Sequence, residues 1–280
     1  MRELQRSIYF FIALCLCCSS CQPGDHAGEQ VIYGDDPGAG SFVQVRGMKM
    51  YYEKYGDGPP LLMIHGNGGS IKSFKNNIAF FDNTFQVVAT DSRAQGKSND
   101  YQDSLSFEMM ADDEAALMDS LHLDSAYIIG WSDGGIIALE MAMRYPEKIK
   151  KIAISGANLW PDSTAIRPES WLESKAYYDS HRDSVWKSAK EKNNWKLFKL
   201  NWDAPNISLA SLGKIQCPAL VIAGEDDVIR KDHTLMIADA IKNAKLWIVP
   251  NSGHATLIDH PNEFNEKVAE FFNGRFSEVR

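Results

Sequence analysis

The sequence predicts one domain of the α/β class, with a mostly parallel sheet of eight strands flanked by helices. Two observations carry this prediction. Short apolar runs of strand length recur along the chain, and segments with apolar residues three and four positions apart lie between them. This alternation is typical of βαβ units, whose strands run parallel. The 280 residues contain no internal repeat and no Pro/Ser-rich linker, so we expect a single large core.

The predicted sheet begins with an antiparallel hairpin. Residues 42–46 and 48–55 alternate apolar and polar side chains in part, and the chain turns between them at Gly47. The six apolar runs that follow, which we expect to be buried strands, are 61–64, 86–90, 126–129, 151–155, 219–223 and 246–249. The main helical patterns between and after them are 107–121, 136–145, 234–241 and 263–272. Helices in these positions would cover the sheet.

The alternation stops over residues 159–212, where aromatic side chains are set among charged helix-forming residues. Seven aromatic residues in this segment are Trp160, Trp171, Tyr177, Tyr178, Trp186, Trp195 and Trp202. We interpret the segment as a helical cap inserted after the sixth strand. Because aromatic rings also serve to pack a cap against the body of a protein, we expect two or three of them at most to contact a substrate.

The first twenty residues have the pattern of a secretory signal peptide. Arg2 and Arg6 precede an apolar run over residues 8–18, which is too short to span a bilayer permanently. A positively charged start, a short apolar run and small residues after it are the three parts that export machinery recognises. Residues 1–20 are therefore predicted to direct export.

The small residues after this run, Cys18-Ser19-Ser20-Cys21, resemble the lipobox of bacterial lipoproteins. This resemblance implies that the signal peptide is removed and that Cys21 carries the lipid. The protein would then be an exported, membrane-anchored lipoprotein of a bacterial cell envelope. Residues 21–40, rich in Gly, Asp and Pro, would form a flexible tether to a domain over 41–280. The alternative is an ordinary signal peptide that leaves Cys21 free.

Charge restricts the partners of the predicted mature protein. Loss of residues 1–20 removes two arginines and one glutamate from 29 basic and 37 acidic residues, which leaves a formal charge of about −9. An acidic surface argues against nucleic acid as a partner, and it repels anionic lipid headgroups. We therefore expect membrane attachment through the lipid on Cys21 and not through a basic patch. The composition indicates no particular oligomeric state.

The central motif is Gly-Trp-Ser-Asp-Gly over residues 130–134. It lies directly after a predicted strand and directly before a predicted helix, which is the context of a nucleophile elbow. Such a turn exposes the hydroxyl of Ser132 and is so tight that side chains two residues before and after would clash. Gly130 and Gly134 occupy those two positions. The placement of the motif therefore predicts a nucleophilic serine.

A serine hydroxyl needs a histidine base and a carboxylate that orients the histidine. Both follow Ser132 in the order serine, acid, histidine. Asp227 comes three residues after Gly224 at the end of one predicted strand, and His254 follows the last predicted strand through a short loop. Both lie at carboxyl ends of strands, so we expect them at the same edge of the sheet as Ser132. Asp226 is the rival acid.

The tetrahedral intermediate of acyl transfer needs two hydrogen-bond donors for its oxyanion. One is the backbone N–H after the nucleophile, here Asp133, and the other comes from the loop after the third strand. That loop is His-Gly-Asn-Gly-Gly over residues 65–69, so the second predicted donor is the backbone N–H of Asn67. His65 is predicted to have a structural role in holding the loop.

A Gly-Lys-Ser sequence at 96–98 superficially suggests a phosphate-binding loop. That motif requires glycine five residues before Gly96, and the residue there is Asp91. We therefore reject a nucleotide site. None of the motifs implies a metal or an organic cofactor.

Together these motifs resemble the α/β-hydrolase fold family over residues 41–275. The resemblance implies a serine hydrolase that cleaves a carboxylic ester of a small molecule through an acyl-enzyme on Ser132. It also favours Asp227 over Asp226, since third place after the glycine matches the usual turn of the family. Residues 91–98 match a structural turn of the family in which Ala94 replaces a glycine.

Within the family, residues 130–135, 155–158 and 216–220 look like α-amino-acid ester hydrolases of the valacyclovir hydrolase type. The loop after His65 and much of the cap do not match that type. The resemblance implies that Asp133 binds the ammonium group of the substrate. Alternatively, the Asp133 side chain turns into solvent or pairs with a cation of the protein, and only its N–H acts.

Two further functions remain open from the sequence. The same triad can act on amides, thioesters, lactones or carbon–carbon bonds, because one fold supports all these reactions. A non-catalytic binding lipoprotein on a hydrolase scaffold is the other alternative, and it is disfavoured because every catalytic position is filled.

Overall fold

The computed structural model describes residues 31–100 and 102–277, which form an eight-stranded sheet flanked by helices. The strands are β1 (Gly40–Val45), β2 (Met48–Tyr55), β3 (Pro60–Ile64), β4 (Gln86–Thr90), β5 (Ala126–Trp131), β6 (Ile149–Ser155), β7 (Ala219–Gly224) and β8 (Ala244–Val249). They lie in the order β1-β2-β4-β3-β5-β6-β7-β8. Strand β2 is antiparallel to both of its neighbours and all other pairs are parallel. The predicted fold class is confirmed.

The helices follow the predicted alternation, with two short additions outside the cap, at 75–81 and 256–259. They are α1 (Lys75–Phe81), α2 (Phe107–Ser120), α3 (Asp133–Arg144), α4 (Pro168–His181), α5 (Ala189–Asp203), α6 (Leu209–Leu212), α7 (Lys231–Ala240), α8 (Thr256–Asp259) and α9 (Pro261–Phe272). Helix α1 was not predicted, because two turns of Asn and aromatic residues have low helix propensity. Tertiary contacts stabilise it: Ile78 and Phe81 are fully buried, and the Asn77 side chain donates to Asn265 Oδ1 of α9 at 2.7 Å.

Two apolar cores lie on the two faces of the sheet. Strand β3 shows why, since successive side chains of a strand point to opposite faces. Leu62 and Ile64 pack into the core that includes α2 and α3, whereas Leu61 and Met63 pack into the core that includes α1 and α9. Burial on both faces explains why the central strands are continuously apolar and not alternating.

Helices α4, α5 and α6 lie between β6 and β7, inside the predicted cap. The chain that leads into α4 forms a short antiparallel bridge with the loop after β7, at Ile166 and Ile229. Backbone hydrogen bonds of 2.8 Å on either side of this bridge join Arg167 N to Val228 O and Arg230 N to Ala165 O. The entrance to the cap is thereby fixed beside the loop that follows β7.

The predicted signal peptide, Cys21 and residues up to 30 lie outside the described residues. The predicted flexible tether over 21–40 needs a correction at its end, because residues 34–36 are bound to the sheet. Glu53 of β2 is fully buried and accepts hydrogen bonds from the backbone N–H groups of Gly34 at 2.6 Å and Asp36 at 3.1 Å. A buried carboxylate needs donors, and the backbone of this segment supplies two of them. In the described part of the chain, no helix has both the length and the apolar character to cross a membrane.

Candidate active site

Ser132 stands at the turn between β5 and α3. Its φ of +56° lies in the left-handed region, which is unusual for a residue with a side chain. A Cβ atom at Gly134 would lie 1.9 Å from the carbonyl oxygen of Ile64, and one at Gly130 would lie 2.2 Å from the carbonyl oxygen of Gly134. Both glycines are therefore required sterically, as the sequence predicted. The backbone N–H of Ser132 donates to Ser155 O at 2.8 Å and joins the turn to β6.

The structure brings the three predicted triad residues together. His254 Nε2 lies 2.9 Å from Ser132 Oγ, and His254 Nδ1 lies 2.7 Å from Asp227 Oδ1. The buried Asp227 carboxylate also accepts the backbone N–H of Ile229 at 2.9 Å. The indole N–H of Trp131 donates to the carbonyl of His254 at 2.9 Å. The carboxylate can orient the imidazole, and the imidazole can accept the serine proton.

The rival carboxylate of Asp226 is placed differently. Its side chain is 74% exposed and forms an ion pair of 3.7 Å with Arg167. It lies on the outer side of the same turn, so it cannot replace Asp227 as the partner of His254.

Gly156, directly after β6, is a site residue that the sequence analysis missed. Its φ is +66°, and a Cβ atom there would lie 2.7 Å from Cε1 of His254. The ring of His254 therefore occupies the space above this glycine. The Ser-Gly-Ala-Asn sequence at 155–158 was a usable signal, since an isolated glycine at a strand end indicates close approach by another group.

The predicted oxyanion loop lies against the nucleophile. A Cβ atom at Gly66 would be only 3.0 Å from Cβ of Ser132, and the backbone N–H of Gly68 donates to Gln95 Oε1 at 2.6 Å. This second contact fixes the amide that follows Asn67. Asp133 is the first residue of α3, where helical N–H groups have no partner within the helix. Both predicted donors are thus on backbone that neighbouring contacts hold in place.

His65 holds this loop, as predicted. Its ring is fully buried, with Nδ1 2.7 Å from Gly66 O and Nε2 accepting the N–H of Ser92 at 3.0 Å. Burial lowers the pKa of His65 to about 4. The ring is therefore neutral at pH 7 and acts as a bridge between two loops.

The Asp133 side chain neither turns into solvent nor pairs with a lysine or arginine of the described chain, which were the two alternatives to ammonium binding. The residue is only 2% exposed, so its carboxylate does not turn into solvent. Asn67 Nδ2 donates to Asp133 Oδ2 at 2.8 Å, and the amide of Asn201 lines the cavity beside this carboxylate. Burial raises the pKa of Asp133 to about 6, while the two amides and the charge of His254 act in the opposite direction. Among the described residues, no lysine or arginine pairs with this carboxylate.

A cavity of about 570 Å³ opens beside Ser132, Asp133 and His254. Two of the predicted cap aromatics, Trp171 and Trp202, line it together with Phe198. The other apolar lining residues are Pro161, Ile166, Leu197, Val228 and Ile229. No lysine or arginine of the described chain lines the cavity, whereas it has the carboxylates of Asp133 and Glu173. Such a cavity suits a small molecule with an apolar part and a cationic group.

Residues 91–98 support the site without lining this cavity. Asp91 accepts the backbone N–H groups of Ile71 at 2.9 Å and Lys97 at 2.7 Å. Arg93 is buried and forms two hydrogen bonds of 2.6 Å with Asp113. These contacts agree with the structural role expected for the segment. Among the described residues, no group of three or more His, Cys, Asp and Glu side chains is arranged to hold a metal ion.

The chain is similar to known hydrolases in sequence and in structure. The model of the alpha/beta hydrolase fold family matches residues 59–181. The human serine hydrolase BPHL is 29% identical, over 93% of this chain and 96% of that protein. A 2-hydroxy-6-oxo-6-phenylhexa-2,4-dienoate hydrolase of Comamonas testosteroni is 26% identical, over 81% of this chain and 92% of that protein.

A solved structure extends the likeness to three dimensions. Est816, described as an N-acyl homoserine lactone degrading enzyme, superposes with a TM-score of 0.67 at 26% identity. The match covers 82% of this chain and all of that one. The chain therefore has the α/β-hydrolase fold, and the proteins that it resembles in sequence are hydrolases.

Proposed function

We propose that the protein is a serine esterase that cleaves carboxylic esters through an acyl-enzyme on Ser132. The observation that carries the proposal is the continuous hydrogen-bond chain from Ser132 Oγ to His254 at 2.9 Å and from His254 to Asp227 at 2.7 Å. A nucleophile, a base and an orienting acid at these distances are the parts that acyl transfer requires.

In the first half of the proposed reaction, Ser132 Oγ attacks the ester carbonyl while His254 Nε2 takes the hydroxyl proton. The backbone N–H groups of Asn67 and Asp133 receive the oxyanion of the tetrahedral intermediate. His254 then gives its proton to the leaving alcohol oxygen, and the carbon–oxygen bond breaks. In the second half, His254 takes a proton from water, the hydroxide attacks the acyl-enzyme, and Ser132 recovers its proton as the acid is released.

The Asp133 carboxylate supports an α-amino-acid ester as the substrate. A carboxylate about 4 Å from a developing oxyanion is unfavourable by roughly 1 to 4 kcal/mol, depending on the local dielectric. An ammonium group on the substrate would offset this repulsion. The buried carboxylate has neutral amides beside it and no pairing lysine or arginine among the described residues, so its charge remains available to a ligand.

The test compares an amino-acid ester with the same ester after N-acetylation. Valine and phenylalanine esters are suitable, and kcat/KM is measured for the full-length protein with Ser132→Ala as the blank. A preference for the free amine that is lost in Asp133→Asn supports the proposal. Equal rates, or a preference for the acetylated ester, would leave a general carboxylesterase. Labelling of Ser132 by a fluorophosphonate tests the nucleophile independently of the substrate.

Lactones, and dienoates cleaved at a carbon–carbon bond, are the second class of substrate, since the names of two similar proteins specify a homoserine lactone and a dienoate. The triad could open either type of bond by attack on a carbonyl. The Asp133 carboxylate disfavours this class, because a neutral lactone or an anionic dienoate gains nothing from a buried negative charge. Turnover of an acyl homoserine lactone with no turnover of amino-acid esters would reverse the order of the two candidates.

The proposed place of action is the bacterial cell envelope, with the protein held by a lipid on Cys21. The Cys18-Ser19-Ser20-Cys21 sequence after a short apolar run supports this proposal. Cells that express the protein are fed an alkyne-tagged fatty acid, and Cys21→Ser is the control. Incorporation that the substitution abolishes supports lipidation, and equal labelling of both forms would contradict it.

A further inference from the structure

One face of the cap helix α5 contacts the hydrolase body at three points. Asn193, Leu197 and Asn201 are four residues apart, so they lie on the same side of the helix. Asn193 Nδ2 donates to the carbonyl of Ala94 at 2.7 Å, and the carbonyl of Leu197 accepts Asn67 Nδ2 at 3.2 Å. The Asn201 side chain lines the same cavity as Asp133, and its amide favours the charged form of that carboxylate. Asn193 thus contacts the segment that supports the oxyanion loop, and Leu197 contacts the loop itself. Asn201 lies at the candidate ammonium site.

From these contacts we infer that the face of α5 formed by Asn193, Leu197 and Asn201 positions the active site. Asn193 supports the oxyanion loop, and Asn201 orients the carboxylate of Asp133 toward a cationic substrate. The inference about Asp133 rests on the proposed amino-acid ester function. The inference about the oxyanion loop applies to any substrate that passes through an oxyanion.

The contact at Asn193 reaches the oxyanion loop through two residues. Ala94 has a φ of +66°, a conformation that is strained for a residue with a Cβ atom, so its geometry depends on contacts that hold it. The next residue, Gln95, accepts the backbone N–H of Gly68 at 2.6 Å through its side chain. Gly68 directly follows Asn67 in the chain. Loss of the Asn193 side chain therefore releases Ala94 and loosens the support of the Asn67 N–H.

The contacts at Leu197 and Asn201 orient the Asp133 carboxylate. The Asn67 amide uses its Nδ2 group twice, for Asp133 Oδ2 at 2.8 Å and for the carbonyl of Leu197 at 3.2 Å. A carboxylate can accept about four hydrogen bonds, so the amides of Asn67 and Asn201 leave room for an ammonium group. Both amides are neutral, and they hold the carboxylate without cancelling its charge. The two asparagines are thus specificity-determining positioning residues.

Helix α5 also supplies the aromatic wall of the cavity. Phe198 and Trp202 follow Leu197 and Asn201 directly in the chain, and both line the cavity beside Ser132. One placement of α5 therefore sets the apolar wall, the orientation of Asp133 and the support of the oxyanion loop together. Because a different residue of the face makes each contact, single substitutions should have separable effects on rate and on substrate preference.

The test uses the full-length protein and pairs a free-amine ester with its N-acetylated form. Asn193→Ala should lower kcat about tenfold for both esters with little change in KM, because it affects an oxyanion donor. Asn201→Ala should lower kcat/KM about tenfold for the free amine and leave the acetylated ester unchanged. Asn201→Lys should abolish the preference for the amine, since its own ammonium would pair with Asp133. Lys190→Ala, an exposed site on the same helix, is the matched control.

Equal losses of kcat/KM for both esters in Asn201→Ala would overturn the inference about Asp133. Unchanged kinetics in Asn193→Ala would overturn the inference about the oxyanion loop. Thermal melting of each variant within a few degrees of the control shows that the fold is retained. If the unsubstituted protein itself shows no amine preference, the amino-acid ester proposal fails and the Asp133 part of the inference fails with it. The Asn193 part is then decided by the rate of fluorophosphonate labelling of Ser132, which a displaced oxyanion donor should slow.

Discussion

Asp227 Oδ1 lies 2.7 Å from Nδ1 of His254, although the two residues follow different strands and are 27 positions apart in the chain. The carboxylate next to it, Asp226, is 74% exposed on the outside of the same turn. Two adjacent residues of the same type therefore have opposite environments. This contrast gives a matched pair of substitutions.

Asp227→Asn should lower kcat by a factor on the order of 10³ to 10⁴, because the amide cannot stabilise the imidazolium of His254. Asp226→Asn should leave kcat within about twofold, since it removes a surface charge. Steady-state hydrolysis of one ester by both variants is the measurement. A similar loss in the two variants would mean that the turn, and not the Asp227 carboxylate, determines activity.

The preference for a free-amine ester should depend on pH through Asp133. Burial raises the pKa of this carboxyl to about 6, so it is ionised at pH 8 and protonated at pH 5. The preference should therefore disappear as the pH falls through 6, be greatest near pH 7, and decline again by about pH 8, where the α-amino group of the free ester begins to lose its proton. The ratio of kcat/KM for the amine to that for the acetylated ester is measured from pH 5 to 8, because the ratio cancels the titration of His254. A ratio that is constant over this range would contradict the role of Asp133.

Asp133→Asn should stabilise the protein at neutral pH while it reduces amine preference. The folded state binds the Asp133 proton more tightly than the unfolded state, so ionisation destabilises the fold once the pH exceeds the unfolded pKa of 3.8. At pH 8 the gain should approach about 3 kcal/mol as an upper limit, at roughly 1.4 kcal/mol per pKa unit. Urea unfolding at pH 8 and at pH 4 checks the effect, and the gain should be small at pH 4. A variant that is less stable at pH 8 would show that the carboxylate is structural.

Arg93→Leu should lower the free energy of unfolding by about 3 to 5 kcal/mol, because it removes the buried cation that joins the carboxylates of Asp113 and Asp100. Among the described residues, Arg46 and Lys196 are the cations that remain paired with them. The control is Arg182→Leu, where the arginine is 55% exposed and pairs with Asp183 on the surface. That substitution should change stability by less than about 1 kcal/mol. Losses of equal size in urea unfolding would argue against a special contribution from the buried ion pairs.

Ala94→Gly should stabilise the fold by about 0.5 to 1 kcal/mol, since glycine adopts the left-handed conformation of residue 94 without strain. The comparison is Ala176→Gly in α4, at an exposed helical position. There glycine should destabilise by about the same amount, because it loses more conformational freedom on folding. Thermal unfolding of the two variants gives opposite shifts if this account is correct, and a destabilised Ala94→Gly would refute it.

Much of the sheet could be predicted from local patterns. The central strands are buried on both faces, so each appears as a continuous apolar run, and β4 was predicted with its observed bounds. Helix α1 could not be predicted, because its stability comes from packing and from the contact between Asn77 and Asn265, which are 188 residues apart. The end of the predicted tether was wrong for a similar reason, since the buried carboxylate of Glu53 binds a segment 17 to 19 residues before it.

The sequence by itself determined the order of the elements, the elbow at Ser132 and the choice of Asp227 and His254 as its partners. These features depend on local sterics and on the topology of parallel strands, both of which leave a pattern in a single sequence. Only the tertiary structure decided that Asp133 is buried between two amides and that Asn67 reaches α5 with its side chain. The latter contact joins residues 130 positions apart. No local periodicity encodes such a contact, because it depends on how the cap packs against loops that are distant in the sequence.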